Sequence, residues 1–259
     1  MEHWIWYIFV GVLGGSLGSC ITMLVHRMHQ NLPLLNDRSR CPACNRVLQW
    51  FELIPVMSFL FLQGKCRKCK HIIPARYILI EVVSTVLFIF AWNHAVHSGI
   101  FSWLALIRDW VIIFVSVFTF AYDALYMEVS PNITLGGGII IAALTVCCST
   151  PGEWKSLVLG MLVGIAWFGI QFIISKGKWI GGGDIFIGFF MGASLGFGKL
   201  IVGLGIAYVI GACVGISLLA LGKKERHDQI AFGTFLTIGT LAALWWGDAI
   251  LSWYGYILG

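Results

Sequence analysis

Between Trp4 and Val25 the chain carries no Asp, Glu, Lys or Arg, and largely apolar runs recur at about 77–95, 102–122, 133–149, 155–175, 184–196, 198–221 and 231–256. About 20 consecutive apolar residues suffice to carry a helix across a bilayer. The sixth of these runs is short and Gly-rich. With 59% hydrophobic and 11% charged residues, 31 Gly and 12 Trp, the composition suits helices packed closely in lipid with aromatic anchors at the interfaces. It excludes a water-soluble domain, a disordered chain and a disulfide scaffold. The expected fold is an all-α polytopic membrane protein of about eight transmembrane helices. Residues 1–25 read as a retained first span and not a cleaved leader, because the positive charges follow the apolar run instead of preceding it.

The remaining long segment differs in kind. Residues 26–76 hold nine of the 17 Lys and Arg, among them Arg27, Arg38, Arg40, Arg46, Lys65, Arg67, Lys68, Lys70 and Arg76, against Asp37 and Glu52. Placing this segment in the cytoplasm and alternating sides puts 14 of the 17 basic residues inside and leaves Arg108, Lys155 and Lys199 outside. That satisfies the positive-inside rule with both termini outside. The domain reading is therefore a first helix over 1–25, a cytoplasmic insert over 26–76 and a seven-helix core over 77–259.

Inside the insert, Cys41-Pro42-Ala43-Cys44 and Cys66-Arg67-Lys68-Cys69 form two CxxC pairs. Four thiolates in such an array surround one Zn²⁺ tetrahedrally and close its coordination sphere, so the expected site is structural. A cytoplasmic setting argues against disulfides. A metal would staple a segment too small to build much core of its own. The apolar run Ile54 to Leu62 between the knuckles is too short to cross and is expected to lie on the membrane or pack under it. Cys20, Cys147, Cys148 and Cys213 read as small packing residues.

The alternation also puts Asp123 and Asp184 at the cytoplasmic ends of the third and sixth spans. Carboxylates at membrane depth are costly and tend to mark function. Asp184 closes Gly181-Gly182-Gly183-Asp184, where Gly181 and Gly183 permit close backbone approach. Two neighbouring carboxyls share a proton and titrate together. The ionised one can take a proton from an attacking water while the other hydrogen-bonds the developing oxyanion, which is peptide hydrolysis without a covalent intermediate. Spacing alone leaves a bland pair of readings open: Asp184 as a helix cap and Asp123 as a solvated interfacial charge. Elsewhere, Arg108 and Asp109 are expected to pair locally, Glu81 to pair with Arg76 or pack within its span, and Glu128 and Asp228 to be loop charges. The seven His residues receive no role.

Taken together, the pieces resemble the type IV prepilin peptidase family, the bifunctional leader peptidases and N-methyltransferases, and especially its Gram-positive competence-type members. The resemblance runs through Leu17-Gly18-Ser19 and Arg27, Arg38 to Cys44, Glu52 to Leu60, Gln63 to Lys70, Arg76-Tyr77 with Glu81, and both aspartate motifs in order. It implies that Asp123 and Asp184 are the catalytic pair of a GxGD-type membrane aspartic protease and that the cysteines form the family's tetracysteine site. It also implies prepilin or pseudopilin substrates with basic leaders, and a place in the inner membrane of a bacterium. S-adenosylmethionine is the implied methyl donor, with Gly64-Lys65 as the local support for methyl transfer. No nucleic-acid partner is expected. Three departures stand out: Phe186 where a Lys is common, Asn132 where many members have Asp, and Ala231-Phe232-Gly233-Thr234 in place of a Pro-Phe-Gly-Pro element.

Two other readings compete. In one, the protein is a non-enzymatic assembly or transport component with a zinc-stapled docking insert, but a conduction path wants polar groups at several depths. In the other it is a general intramembrane protease clearing signal-peptide remnants, for which the tetracysteine insert has no use.

Overall fold

The computed structural model describes residues 3–34, 38–41, 43–99, 101–148, 153–222 and 230–258. Pro42, His227 and Asp228, together with the basic residues Lys223, Lys224 and Arg226, lie outside them. The elements, in order, are α1 (His3–His29), a 3₁₀ turn (Trp50–Leu53), α2 (Met57–Phe61), α3 (Arg76–His97), α4 (Trp103–Tyr126), α5 (Pro131–Cys148), α6 (Glu153–Ser175), α7 (Gly183–Ala220) and α8 (Phe232–Leu258). Six of these helices are long and apolar enough to span a membrane, and the helix from Pro131 to Cys147 is a shorter apolar one. The protein is a multi-pass helical membrane protein. The chain divides into two compact units, Met1–Phe118 and Thr119–Gly259.

In the first unit α1 and α3 run antiparallel, because Tyr7 donates to Asn93 at one end while Gly18 lies against Glu81 and Ser84 at the other. Small residues allow this approach. A Cβ at Gly14 would come within 2.8 Å of the Phe88 Cβ, and one at Gly18 within 2.8 Å of the Glu81 Cα, as expected where packing rather than hydrophobic exclusion drives association in lipid. The Tyr7 end carries an aromatic cluster: Trp6 stacks on Trp92 at 5.5 Å, and Phe101 meets Trp103 edge-on at 4.8 Å. Arg108 and Asp109 pair as expected, at 2.8 Å.

The insert is built from one motif used twice. Cys41 N–H donates to the Arg46 carbonyl and Asn45 N–H returns to the Cys41 carbonyl; Cys66 N–H and Lys70 N–H do the same with His71 and Cys66. Isolated bridges Arg40–Val47 and Lys65–Ile72 close both loops. Asn45 at φ 53° and Lys70 at φ 58° take the left-handed turn at equivalent places. A CxxC loop must reverse within a few residues to aim both sulfurs inward, and this turn accomplishes the reversal.

The second unit packs α6 on α7, α7 on α8 and α5 on α7. Glycine again sets the distances: Gly160 and Gly164 of α6 lie so close to Gly192 and Gly188 of α7 that a Cβ on either would meet backbone. Helix α7 is broken at Gly196, whose φ of 67° and ψ of −178° are extended and left-handed. The halves fold back on each other, since a Cβ at Gly203 would lie 3.1 Å from Leu195 Cδ1 and 3.3 Å from Met191 Cε. In an unbroken helix positions 191 and 203 would stand about 18 Å apart. The Phe197 N–H freed at the break donates to Ser156 Oγ at 3.0 Å. The expected runs 184–196 and 198–221 thus correspond to the two halves, and counting them separately, with α5, gives eight apolar segments. The first half is only about 20 Å long, short of a full crossing.

Candidate active site and metal centre

Asp123 ends α4 and Asp184 begins α7, and both are buried, with 4% and 7% of their surface exposed. The start of α8 approaches Asp123 head-on. Its carboxylate accepts backbone N–H bonds from Gly233 and from Thr234, the latter at 2.9 Å. Gly233 is small of necessity, because a Cβ there would sit 2.8 Å from Asp123 Oδ2. The altered Ala231–Thr234 element is therefore a helix N-terminus aimed at a carboxylate, and the N–H groups that it supplies are main-chain. Sequence reading identified the element only as a departure; its Phe-Gly step ahead of an apolar run was the available signal.

Asp184 is held by its own motif. Its Oδ2 accepts the Gly181 N–H at 3.2 Å, and its N–H donates to the Gly181 carbonyl at 3.1 Å. The two motif glycines differ in what they permit. A Cβ at Gly183 would meet the Val129 Cβ at 2.7 Å, whereas the nearest neighbour of one at Gly181 would be 3.9 Å away. Gly183 thus lets the chain after α4 close on the start of α7. The charge of Asp123 acts on Asp184, and among the described residues neither has a salt bridge. The bland reading of a solvated Asp123 is excluded by its burial. Asp184 does make a local turn bond, as a cap would, but beside a second buried carboxylate. Phe186 is half-buried and brings no charge to the pair.

In the insert, the sulfurs of Cys41, Cys44, Cys66 and Cys69 all lie within 4.8 Å of one another, with Cys41 and Cys69 at 3.7 Å. A tetrahedral Zn²⁺ with bonds of about 2.3 Å separates its sulfur ligands by about 3.8 Å, so the donor set and spacing fit a metal ion. Backbone N–H groups of Cys69 and Lys68 pull the Cys66 thiol down to about 6. At Cys69 the His71 N–H works the other way from burial and the neighbouring sulfurs, which together push it up to about 11. Glu52 is buried behind the knuckles, paired with Arg46 and accepting the Gln49 N–H at 2.9 Å; Arg67 covers the Phe51 ring at 5.5 Å. Gly64 is buried, with φ 66° and the Phe59 ring 2.9 Å from where a Cβ would be. Its neighbour Lys65 is exposed.

Among the described residues Glu81 makes no ion pair with Arg76 or another charge: its carboxylate accepts the Val56 N–H at 2.8 Å and a bond from the Ser19 hydroxyl. Of the other cysteines, Cys20 is half-buried, while Cys147 and Cys213 are exposed on helix faces, so the expected packing role does not extend to them. The side chain of Cys148 lies outside the described residues.

Two family models match the chain: the bacterial peptidase A24 N-terminal domain over residues 12–95 and the type IV leader peptidase family over residues 110–216. The prepilin leader peptidase/N-methyltransferase of Bacillus subtilis (strain 168) is 30% identical over 244 residues, covering 94% of this chain and 95% of the relative. The chain belongs to the type IV leader peptidase family. Within that family it is also 31% identical to the prepilin leader peptidase/N-methyltransferase of Pseudomonas aeruginosa, over 94% of this chain and 91% of the relative. The Legionella pneumophila relative of the same name is 28% identical, over 98% and 96%. No solved structure matches. In this leader peptidase family member the first matched segment holds the four cysteines and Glu81, and the second holds both aspartates. Gly233 and Thr234, which complete the hydrogen bonding of Asp123, lie beyond it.

Proposed function

We propose that this enzyme cleaves the basic leader of prepilin-like proteins at the cytoplasmic face of the membrane, with Asp123 and Asp184 as the catalytic pair, and then methylates the new N-terminus. The observation that carries the reading is the pair itself: two buried carboxylates, brought together by α4 and α7 and stabilised by main-chain N–H groups instead of cations. Neighbouring carboxyls without a counter-ion share one proton. The ionised member accepts a proton from water as it attacks the scissile carbonyl. The protonated member donates to the developing oxyanion, and the two exchange roles when the amine leaves. Backbone donors fix the orientation of both carboxylates, so little reorganisation accompanies the reaction.

The division of labour that follows is a first span over 1–25, a cytoplasmic insert over 26–76 and a peptidase core over 77–259, with Gly181 and Gly183 supporting the catalytic turn. The distribution of basic residues supports an insert and active site facing the cytoplasm and both termini outside. Cys41, Cys44, Cys66 and Cys69 would hold Zn²⁺, which cross-links the two knuckles when bound. For the second activity S-adenosylmethionine supplies the methyl group when bound. On the insert, Gly64 keeps the turn against Phe59 that presents Lys65, and these two residues are the proposed contributors to methyl transfer.

The test is co-expression with a prepilin-like substrate, followed by mass spectrometry of its N-terminus. Processing by the wild type that is lost in both Asp123→Asn and Asp184→Asn is the expected result. Substantial processing by either variant would overturn the catalytic pair, and an unmethylated product would overturn the second activity.

A further inference from the structure

The apolar stretch between the two knuckles sits at an unexpected depth. Pro55 packs where a Cβ on Gly15 would be, 3.1 Å from its own Cβ, and the Thr85 hydroxyl is 3.1 Å from the same point. Gly15 lies about 21 Å along α1 from its His29 end, and Thr85 about 14 Å along α3 from Arg76, at 1.5 Å of rise per residue. Glu81, which takes the Val56 N–H, is about 8 Å in from Arg76. Half the hydrocarbon thickness of a bilayer is about 15 Å. A loop resting on the surface would touch the ends of these helices, not their interiors.

Backbone at such depth persists only where its polar groups are satisfied, and here most N–H groups of the segment are paired. Ser58, Leu60, Leu62 and Gly64 donate to the carbonyls of Ile54, Val56, Ser58 and Phe59. The N–H of Val56 goes to the Glu81 carboxylate. Val56 has φ 61° and ψ −51°, a strained backbone for a β-branched residue, so the turn persists because surrounding groups hold it. Meanwhile the side chains facing outward are apolar and uncovered: Leu60 is 60% and Phe61 80% exposed, with Trp50 at 78%. At the same depth α3 itself exposes Leu79, Val83 and Val86, so lipid is already the neighbour of this helix.

We propose that residues 54–62 form a re-entrant segment whose outward face contacts the acyl chains of one bilayer leaflet, latched to the first two spans by Glu81 and Ser19. Trp50 anchors it at the interface, and the second knuckle, which follows at Cys66–Cys69, returns the chain to water. The segment is thus an interaction surface for lipid hydrocarbon.

Photo-crosslinking tests this on the full-length protein in lipid nanodiscs, with p-benzoylphenylalanine placed singly at Phe61, at Ile173 on the exposed face of α6, and at Gln30 just beyond α1. Fragmentation locates the adducts. Acyl-chain adducts at position 61 in yield comparable to position 173, and about tenfold above position 30, are expected. A yield at 61 no higher than at 30 would overturn the re-entrant placement. In a Glu81→Ala background the acyl adduct at 61 should fall severalfold while that at 173 holds, and Glu81→Gln, which keeps an acceptor for the Val56 N–H, should restore it. An unchanged yield in Glu81→Ala would overturn the latch.

Discussion

Glu52 in the insert and Asp123 and Asp184 in the second unit are carboxylates of nearly equal burial, 8%, 4% and 7% exposed, yet they are partnered in opposite ways. Burial works against the charge of Glu52, but the Gln49 N–H and the Arg46 guanidinium outweigh it and hold its carboxyl below the usual range. The aspartates have main-chain N–H groups and each other. A carboxylate neutralised by a cation is committed to its charge and serves as structure. One held by backbone dipoles beside a second carboxyl can gain or lose a proton at little cost, as acid–base chemistry requires. Burial does not distinguish the proposed catalytic pair from Glu52; the choice of partner does.

The largest effect should fall on the aspartates. Asp123→Asn and Asp184→Asn are each expected to lower leader cleavage by about 10³-fold or more, while Glu52→Gln leaves it within a few-fold. An equal loss in all three, by substrate cleavage assay, would break the contrast. Next comes the metal. Wild-type protein should carry about one Zn²⁺ per chain by elemental analysis, and the double change Cys41→Ser, Cys66→Ser should lose it and open the insert to protease. Metal retained in that variant would refute the tetracysteine site.

Gly233→Ala sharpens the comparison from the backbone side. The methyl would collide with Asp123 Oδ2, so cleavage is expected to drop by about 10- to 100-fold with zinc content unchanged, in line with displacing a catalytic group by a fraction of an ångström. Gly181→Ala, whose Cβ would come no closer than 3.9 Å to its neighbours, should stay within about twofold by the same assay. The smallest effect is on the insert's pH range. Because the Glu52 carboxyl is depressed in the folded state, its stabilisation is present above the unfolded carboxylate range and is lost as pH falls through the folded value. Limited proteolysis of the insert should therefore accelerate on acidification in the wild type, with a weaker pH dependence in Glu52→Gln. An identical profile in the two would remove Glu52 from the account.

Much of this architecture is legible in the chain. Apolar runs interrupted by few charges specify the spans, and the break at Gly196 falls at the junction of the runs 184–196 and 198–221. The CxxC pairs mark a four-sulfur cluster because a two-residue gap is a local property. Both aspartates stand out as carboxylates at the ends of apolar runs. Local pattern could not reveal that Ala231–Thr234 is a hydrogen-bond donor, because it donates through main-chain N–H groups, to a residue 111 positions away. The fate of Glu81 was hidden for the same reason: its partner is the N–H of Val56, not a cation with a recognisable spacing.

By itself, then, the sequence determines that the chain spans a membrane many times, that four cysteines gather, and which two carboxylates are candidates for chemistry, since hydropathy, knuckle spacing and charge are properties of short stretches. Tertiary structure alone decides that Gly183 and Gly233 make room around those carboxylates, that helix α8 begins at Asp123, and that the turn at Pro55 and Val56 packs against the interior of α1 and α3. Those outcomes depend on close approach between backbones distant in sequence. Such approach is governed by the absence of a side chain and by which main-chain groups remain unpaired at helix ends.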